Sequence, residues 1–186
     1  MFARIVGSII YKMRKCGDYF VRKYITAQFS SVGKDVYIGK NGIFTYKNIT
    51  IGNDVYIGAN AVLQSSYGKI VIGSHVMFGP GVHIHGGNHK IHEIGELLKH
   101  TSQKKQGDDG VVTIEDDCWI GANAIILNNV VIGKGSVIGA GSVVTKDVPP
   151  YSIYTGSPGM KLRDRFSSDS LKVHEQLLNA KSINGI

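Results

Sequence analysis

Ile120-Gly121-Ala122-Asn123-Ala124-Ile125 and Ile138-Gly139-Ala140-Gly141-Ser142-Val143 are two copies of one six-residue pattern, and its recurrence decides how the chain folds. An aliphatic residue is followed often by Gly, and then by a small or β-branched residue three positions further on. The same frame reads in Val36–Asn41, Ile51–Tyr56, Ile57–Val62, Ile72–Met77 and Phe78–His83. It resumes in Ile114–Trp119 and Ile132–Val137. Six is neither the period of an amphipathic helix nor the two-residue alternation of a plain strand. It fits short strands joined by tight turns, each sending one aliphatic side chain into a narrow prism. Three strands then make a coil of about eighteen residues, and stacked coils bury a continuous ladder of Ile, Val and Leu. Gly after the aliphatic residue suits tight backbone packing or a turn at positive φ. The fold class is therefore an all-β solenoid.

Composition agrees with this frame. The chain has 186 residues with 24 Gly against only 4 Pro, so a repeated feature must be using the glycines. Its length suits one domain with short appendages. Cys16 and Cys118 lie far apart and form neither a disulfide framework nor a CxxC metal knuckle, which points to a reducing compartment and a cytoplasmic location. No run reaches membrane-spanning length, and the apolar stretch around Val6–Tyr11 lacks the features of a cleaved signal. The formal charge of +7 serves solubility or attracts an anionic ligand, a nucleotide phosphate or a membrane surface. Nucleic acid is disfavoured because no binding motif or aromatic-and-basic stripe is present.

Three segments fall outside the repeat. In residues 1–30, Arg4, Lys12, Arg14, Lys15, Arg22 and Lys23 alternate with apolar residues such as Ile9, Ile10, Phe20 and Tyr24. This predicts a basic amphipathic helical segment that covers the open end of the solenoid. The alternative is a weak contact with a membrane surface, peripheral at the inner face. Residues 85–110 interrupt the repeat with a polar excursion, and loops of that length in a compact fold are usually functional. Residues 160–186 read as a C-terminal helical tail carrying Leu171, Val173, Leu177 and Leu178. The solenoid domain itself spans residues 31–159.

The hexads, the tract Val82-His83-Ile84-His85-Gly86-Gly87-Asn88-His89, the segment Asp117–Ala122 and the closing stretches Ile138–Pro150 and Tyr154–Pro158 together resemble the hexapeptide-repeat acyltransferase family. Within it they are most similar to the sugar O-acetyltransferases. The resemblance covers roughly Ser31 to Arg163. It implies a left-handed parallel β-helix, with an N-terminal helical segment and a C-terminal helix, assembled as a homotrimer with active sites between subunits. It further implies transfer of an acetyl group from acetyl-CoA, with no metal required, to a sugar hydroxyl, for which cell-surface polysaccharide precursors are the expected acceptors.

Such a transfer needs a base near the acceptor proton, and histidine suits that task near neutral pH. The candidates are His75, His83, His85, His89, His92, His100 and His174, among which composition cannot choose. By the resemblance, His89 is the general base, with His85 as runner-up. His75 and His83 occupy turn or outward repeat positions. His85, Asn88 and Trp119 are expected near the acceptor. Gly121, Ala122 and Ala140 would line the pantetheine arm, and Thr145, Lys146, Lys161 and Arg163 the nucleotide end. Cys118, at an inward repeat position, is a poor nucleophile candidate.

There are two departures from the family pattern. Met160 stands where a basic residue is usual two positions after Pro158, and Lys161 follows it. No acceptor-binding asparagine one coil before the base is evident; Asn60 is the candidate. An N-acetyltransferase acting on an amino sugar or antibiotic would share nearly every motif. A γ-type carbonic anhydrase would need three convergent histidines, whereas His83, His85 and His89 crowd one stretch. Serine acetyltransferase is disfavoured because its large helical N-terminal domain is missing.

Overall fold

The structure is a computed structural model and describes residues 6–7, 21, 23–101, 104 and 108–183. Most of the expected N-terminal segment, and Cys16 with it, lies outside the described residues.

Two-residue strands stack in parallel into three sheets, the faces of a triangular prism. Face A stacks Ser31–Val32, Ile49–Ile51, Lys69–Ile72, Val111–Ile114 and Val131–Ile132. Face B contains Tyr37–Ile38, Tyr56–Ile57, Met77–Phe78, Trp119–Ile120 and Val137–Ile138, and ends in the hairpin of Ser152–Gly156 with Gly159–Asp164. Face C contains Ile43–Phe44, Val62–Gln64, His83–His85, Ile125–Ile126 and Val143–Val144. The second residue of each short strand points inward. On face B this stacks Ile38, Ile57, Phe78, Ile120, Ile138 and Tyr154 in register, all buried. On face C it stacks Phe44, Leu63, Ile84, Ile126 and Val144. Each fully buried side chain of this size is worth about 1.5–3 kcal/mol relative to exposure, so such ladders are the main favourable term in stability.

The two uses expected of the repeat glycine fall on different residues. Gly121 is kept for space: a Cβ there would lie 2.5 Å from Ala140 N in the next coil. Positive φ is taken mainly by the turn residues that follow, among them Asn41, Asp54, Asn60, His75, Asp117 and Asn123. Asn and Asp tolerate this conformation better than other side chains. Asn60 therefore has a turn role, at φ 59° and accepting from Asn41 Nδ2 at 3.3 Å. His75 has one too, with Nδ1 2.9 Å from Asp54 Oδ2.

Coils of eighteen residues, as from Ile120 to Ile138, occur only late in the chain. Earlier coils insert extra residues at the corner between faces C and A. Examples are the 3-10 turn Tyr46–Asn48 and the bend before Lys69. Asn48 Nδ2 holds these together by donating to Ser65 O at 2.7 Å and Ser66 O at 2.9 Å. The excursion leaves from the same corner, between His85 and Val111.

Both ends of the prism are plugged by aromatic residues. Phe29 packs on Phe44 and Tyr46 at the first coil, with centroids 5.4 and 5.0 Å apart. At the other end the expected helical tail begins later than Met160. Gly159–Asp164 forms a strand instead, because it completes an antiparallel hairpin that ends the sheet, and the helix runs from Ser168 to Ile183. That helix packs through His174 on Phe166 (4.7 Å) and Tyr151 (6.1 Å), with Tyr151 Oη 3.2 Å from Glu175 Oε1. Val173 and Leu177 on this helix are exposed.

Cys118 occupies an inward repeat position and is 1% exposed. Burial is the main cause that pushes its thiol up to about 12. At pH 7 the thiol is therefore held protonated, and thiolate is the reactive form. In a Cys16→Ser variant, Cys118 is expected to resist a thiol-disulfide reagent until the chain unfolds. Rapid labelling of the folded protein would contradict this burial.

Candidate active site

The tract that leads to His89 runs along face C. His83 and His85 point outward on either side of the buried Ile84. Their rings are 5.8 Å apart. Partial burial, with a smaller contribution from His83, lowers the pKa of His85, which favours its neutral form. After His85 the backbone leaves the prism. Gly86 passes against Ser65, and Gly87 passes against the buried carboxylate of Asp109, where a Cβ would overlap its oxygens. Asn88 and His89 follow, exposed. A polar recess of about 170 Å³ opens at this corner, lined by Gln64, Ser65, His85, Lys104 and Asp109 among others. Hydroxyl-rich ligands suit such a lining better than apolar ones.

Trp119 stands elsewhere. It lies on the outward side of face B and is 51% exposed, in register with Tyr37, Tyr56, Met77 and Val137. Tyr37 and Tyr56 stack with their rings parallel, centroids 4.9 Å apart. Within one chain, therefore, the strand leading to His89 and the strand bearing Trp119 belong to different faces.

Ala122 and Ala140 sit one above the other at the corner between faces B and C. Gly121 N–H donates to Ile138 O and Gly141 N–H to Ala122 O, each at 2.8 Å. Neither bond uses the N–H of Ala122 or Ala140, which leaves two amides one coil apart on an outer corner. Thr145 and Lys146 are exposed beyond the far edge of face C in the last coil. The terminal hairpin reaches toward them, since a Cβ on Gly159 would lie 3.0 Å from Val143 O. Lys161 Nζ pairs with Asp164 at 2.6 Å, and Arg163 donates to Asp164 O at 3.4 Å. Met160 is exposed beside them. A basic residue that spacing alone did not single out is Arg165. It is committed to the fold, bonding Asp117 Oδ2 at 2.8 Å and Gly135 O at 2.9 Å. Among the described residues, no group of three or more His, Cys, Asp or Glu is arranged to hold a metal ion.

Comparison with known proteins gives this arrangement a context. Residues 112–146 match the family described as bacterial transferase hexapeptide (six repeats), and residues 30–65 match the hexapeptide repeat of succinyl-transferase. A solved maltose O-acetyltransferase from Clostridium difficile 630 is 32% identical, with a TM-score of 0.68 over 78% of this chain and 75% of that one. The chain belongs to the hexapeptide-repeat acetyltransferase family. Its three-sided prism is accordingly the left-handed parallel β-helix. A hexapeptide-repeat acetyltransferase from Vibrio cholerae O1 biovar eltor, solved with acetyl coenzyme A, superposes with a TM-score of 0.72. It is 28% identical, over 81% of this chain and 79% of that one. A galactoside O-acetyltransferase from Lactococcus lactis subsp. lactis is 38% identical over 150 residues, 81% of this chain; the match spans 62% of that protein's length.

Proposed function

We propose that this chain is an acetyl-CoA-dependent O-acetyltransferase acting on a sugar hydroxyl, with His89 as general base. The observation that carries the reading is the likeness over four fifths of the chain to a galactoside O-acetyltransferase. The exposed His89 at the root of the excursion supports it. In the reaction His89 takes the acceptor's hydroxyl proton as the oxygen attacks the thioester carbonyl carbon. The tetrahedral oxyanion collapses, the C–S bond breaks, and the protonated His89 returns its proton to the departing thiolate. Backbone N–H groups or ordered water would stabilise the oxyanion. No covalent enzyme intermediate is needed, and the buried Cys118 could not supply one.

The active unit in this reading is a homotrimer. A base that leaves from the edge of face C and a tryptophan on face B can share a site if face C of one subunit approaches face B of the next. The exposed row of Tyr37, Tyr56, Met77 and Trp119 would then be covered. The pantetheine arm would lie along the Ala122 and Ala140 corner beside Gly121. Thr145, Lys146, Lys161 and Arg163 would lie at the nucleotide end, where guanidinium and ammonium donors suit phosphates. His85, Asn88 and Trp119 would contact the acceptor. No described helix is long and apolar enough to cross a membrane. We place the reaction in the cytoplasm, with residues 1–30 covering the end of the solenoid; the alternative is a peripheral membrane contact that would suit a lipid-linked acceptor.

The test is acetyl-CoA-dependent release of free CoA across sugars, amino sugars and nucleotide-linked sugars. Turnover of a sugar bearing only hydroxyls supports O-acetylation. Turnover restricted to amino sugars favours the N-acetyltransferase reading, and failure to bind acetyl-CoA overturns both. In the same assay Arg163→Ala is expected to raise the KM for acetyl-CoA about five- to tenfold with kcat little changed. An unchanged KM would remove Arg163 from the CoA site.

A further inference from the structure

The excursion is sutured on both sides of His89. Upstream, the Asp109 carboxylate is fully buried, with Oδ1 2.8 Å from Lys104 Nζ and Oδ2 accepting the Tyr67 N–H at 3.1 Å. It fills the space in which Gly87 would carry a Cβ, two residues before His89. Downstream, the buried Thr101 hydroxyl lies 2.9 Å from Lys90 O and 2.8 Å from Leu98 O, one residue beyond His89. Lys90 Nζ is in turn 3.4 Å from Asp108 Oδ2, so the outgoing and returning arms are tied across by a charge pair.

Residues 91–100 are exposed throughout, including Ile91, Ile94, Leu97 and Leu98. Among the described residues of the excursion, the buried side-chain ties lie at the positions flanking His89. A buried carboxylate and a buried hydroxyl need their partners, because leaving either unpaired costs more than an ordinary hydrogen bond returns. The pairing therefore restricts the backbone at Gly87 and Lys90 to a narrow range. That backbone carries the imidazole.

The geometry points to Asp109 and Thr101 as positioning residues for His89, acting through the backbone on either side of it. The inference rests on His89 being the base. It also accounts for two sequence features that the reaction does not use. Gly86-Gly87 is there because Ser65 and Asp109 press on the departing chain. Asp108-Asp109 closes the excursion because its two carboxylates face Lys90 and Lys104.

The experiment compares Thr101→Val, Thr101→Ser, Asp109→Asn and His89→Ala as full-length protein, with acetyl-CoA and the acceptor that turns over fastest in the panel. Thr101→Val keeps the side chain's volume and removes the donor. It is expected to lower kcat about 10- to 100-fold, as misplacement of a catalytic group does. The KM for acetyl-CoA should stay within about twofold, and Thr101→Ser should restore wild-type turnover. Asp109→Asn is expected to fall in the same direction as Thr101→Val. An acceptor-free measurement accompanies these: amide hydrogen exchange at residues 87–91 should accelerate in Thr101→Val and Asp109→Asn while the prism strands stay protected. If His89→Ala is inactive while Thr101→Val and Asp109→Asn turn over like wild type, the positioning role is wrong and the base assignment survives. A Thr101→Ser variant as impaired as Thr101→Val also overturns the positioning role. If His89→Ala keeps wild-type kcat, the base assignment falls and this inference falls with it.

Discussion

His89→Ala is expected to lower kcat by about 10²- to 10⁴-fold, the range in which a positioned general base contributes, while acetyl-CoA still binds. The expectation follows from where the side chain stands. His89 is exposed at the root of the excursion and makes no described hydrogen bond that the fold needs, so its removal should leave the prism and its melting temperature intact. The Ala122 and Ala140 corner is separate from it, so the KM for acetyl-CoA should hardly move. His85→Ala is the informative companion. His85 is partly buried at the recess, and that burial favours its neutral form, which suits hydrogen bonding to an acceptor. Its loss should show mainly in the acceptor's KM. Reversal of the two patterns, with His85→Ala losing kcat and His89→Ala losing only acceptor affinity, would exchange their roles.

The second large effect concerns stability. Phe78→Ala is expected to destabilise the folded chain by about 3–5 kcal/mol, the usual cost of emptying a large buried aromatic site. Phe78 is 1% exposed and lies between Ile57 and Ile120 in the face B ladder, with coils stacked on both sides. Neighbouring strands are held by backbone hydrogen bonds such as Gly58 N–H to Phe78 O and Gly79 N–H to Ile120 O. The cavity therefore cannot close without unstacking a coil. Denaturant unfolding at fixed protein concentration measures the effect, the concentration being held because assembly would add to apparent stability. A loss below about 1 kcal/mol would mean that the site collapses freely, contrary to close packing.

Much of this architecture is legible in the chain because one period runs through it. Ile120, Ile126, Ile132 and Ile138 recur every six residues, and the three inward ladders follow from that alone. The period also explains why the early coils are harder to read. Tyr46–Asn48 and the Ser65–Gly68 bend add residues at the C–A corner, outside the strands, so the interior register survives while the spacing in the chain drifts. The C-terminal helix was legible as a polar, helix-prone run, but not its contact surface. The docking is made by His174 against Tyr151 and Phe166, and no spacing in the chain marks that pair of contacts. Likewise the sequence does not show that Lys161, expected at the nucleotide end, also lies 2.6 Å from Asp164. The excursion's boundaries were readable from the gap in the hexads and its paired glycines, but not the reason for those glycines.

The residues by themselves determine a three-sided parallel solenoid, because a six-residue repeat of inward aliphatics has one economical way to bury them all. They also mark the interruption that carries His89. Tertiary structure decided which distant residues meet. Asp109 reaches Gly87, Tyr67 and Lys104, and Thr101 reaches Lys90, through an excursion that has no period and whose course depends on where the prism places its two ends. It also set the strand that leads to His89 and the strand that bears Trp119 on different faces, because face is assigned by a residue's place in the coil and not by its distance along the chain.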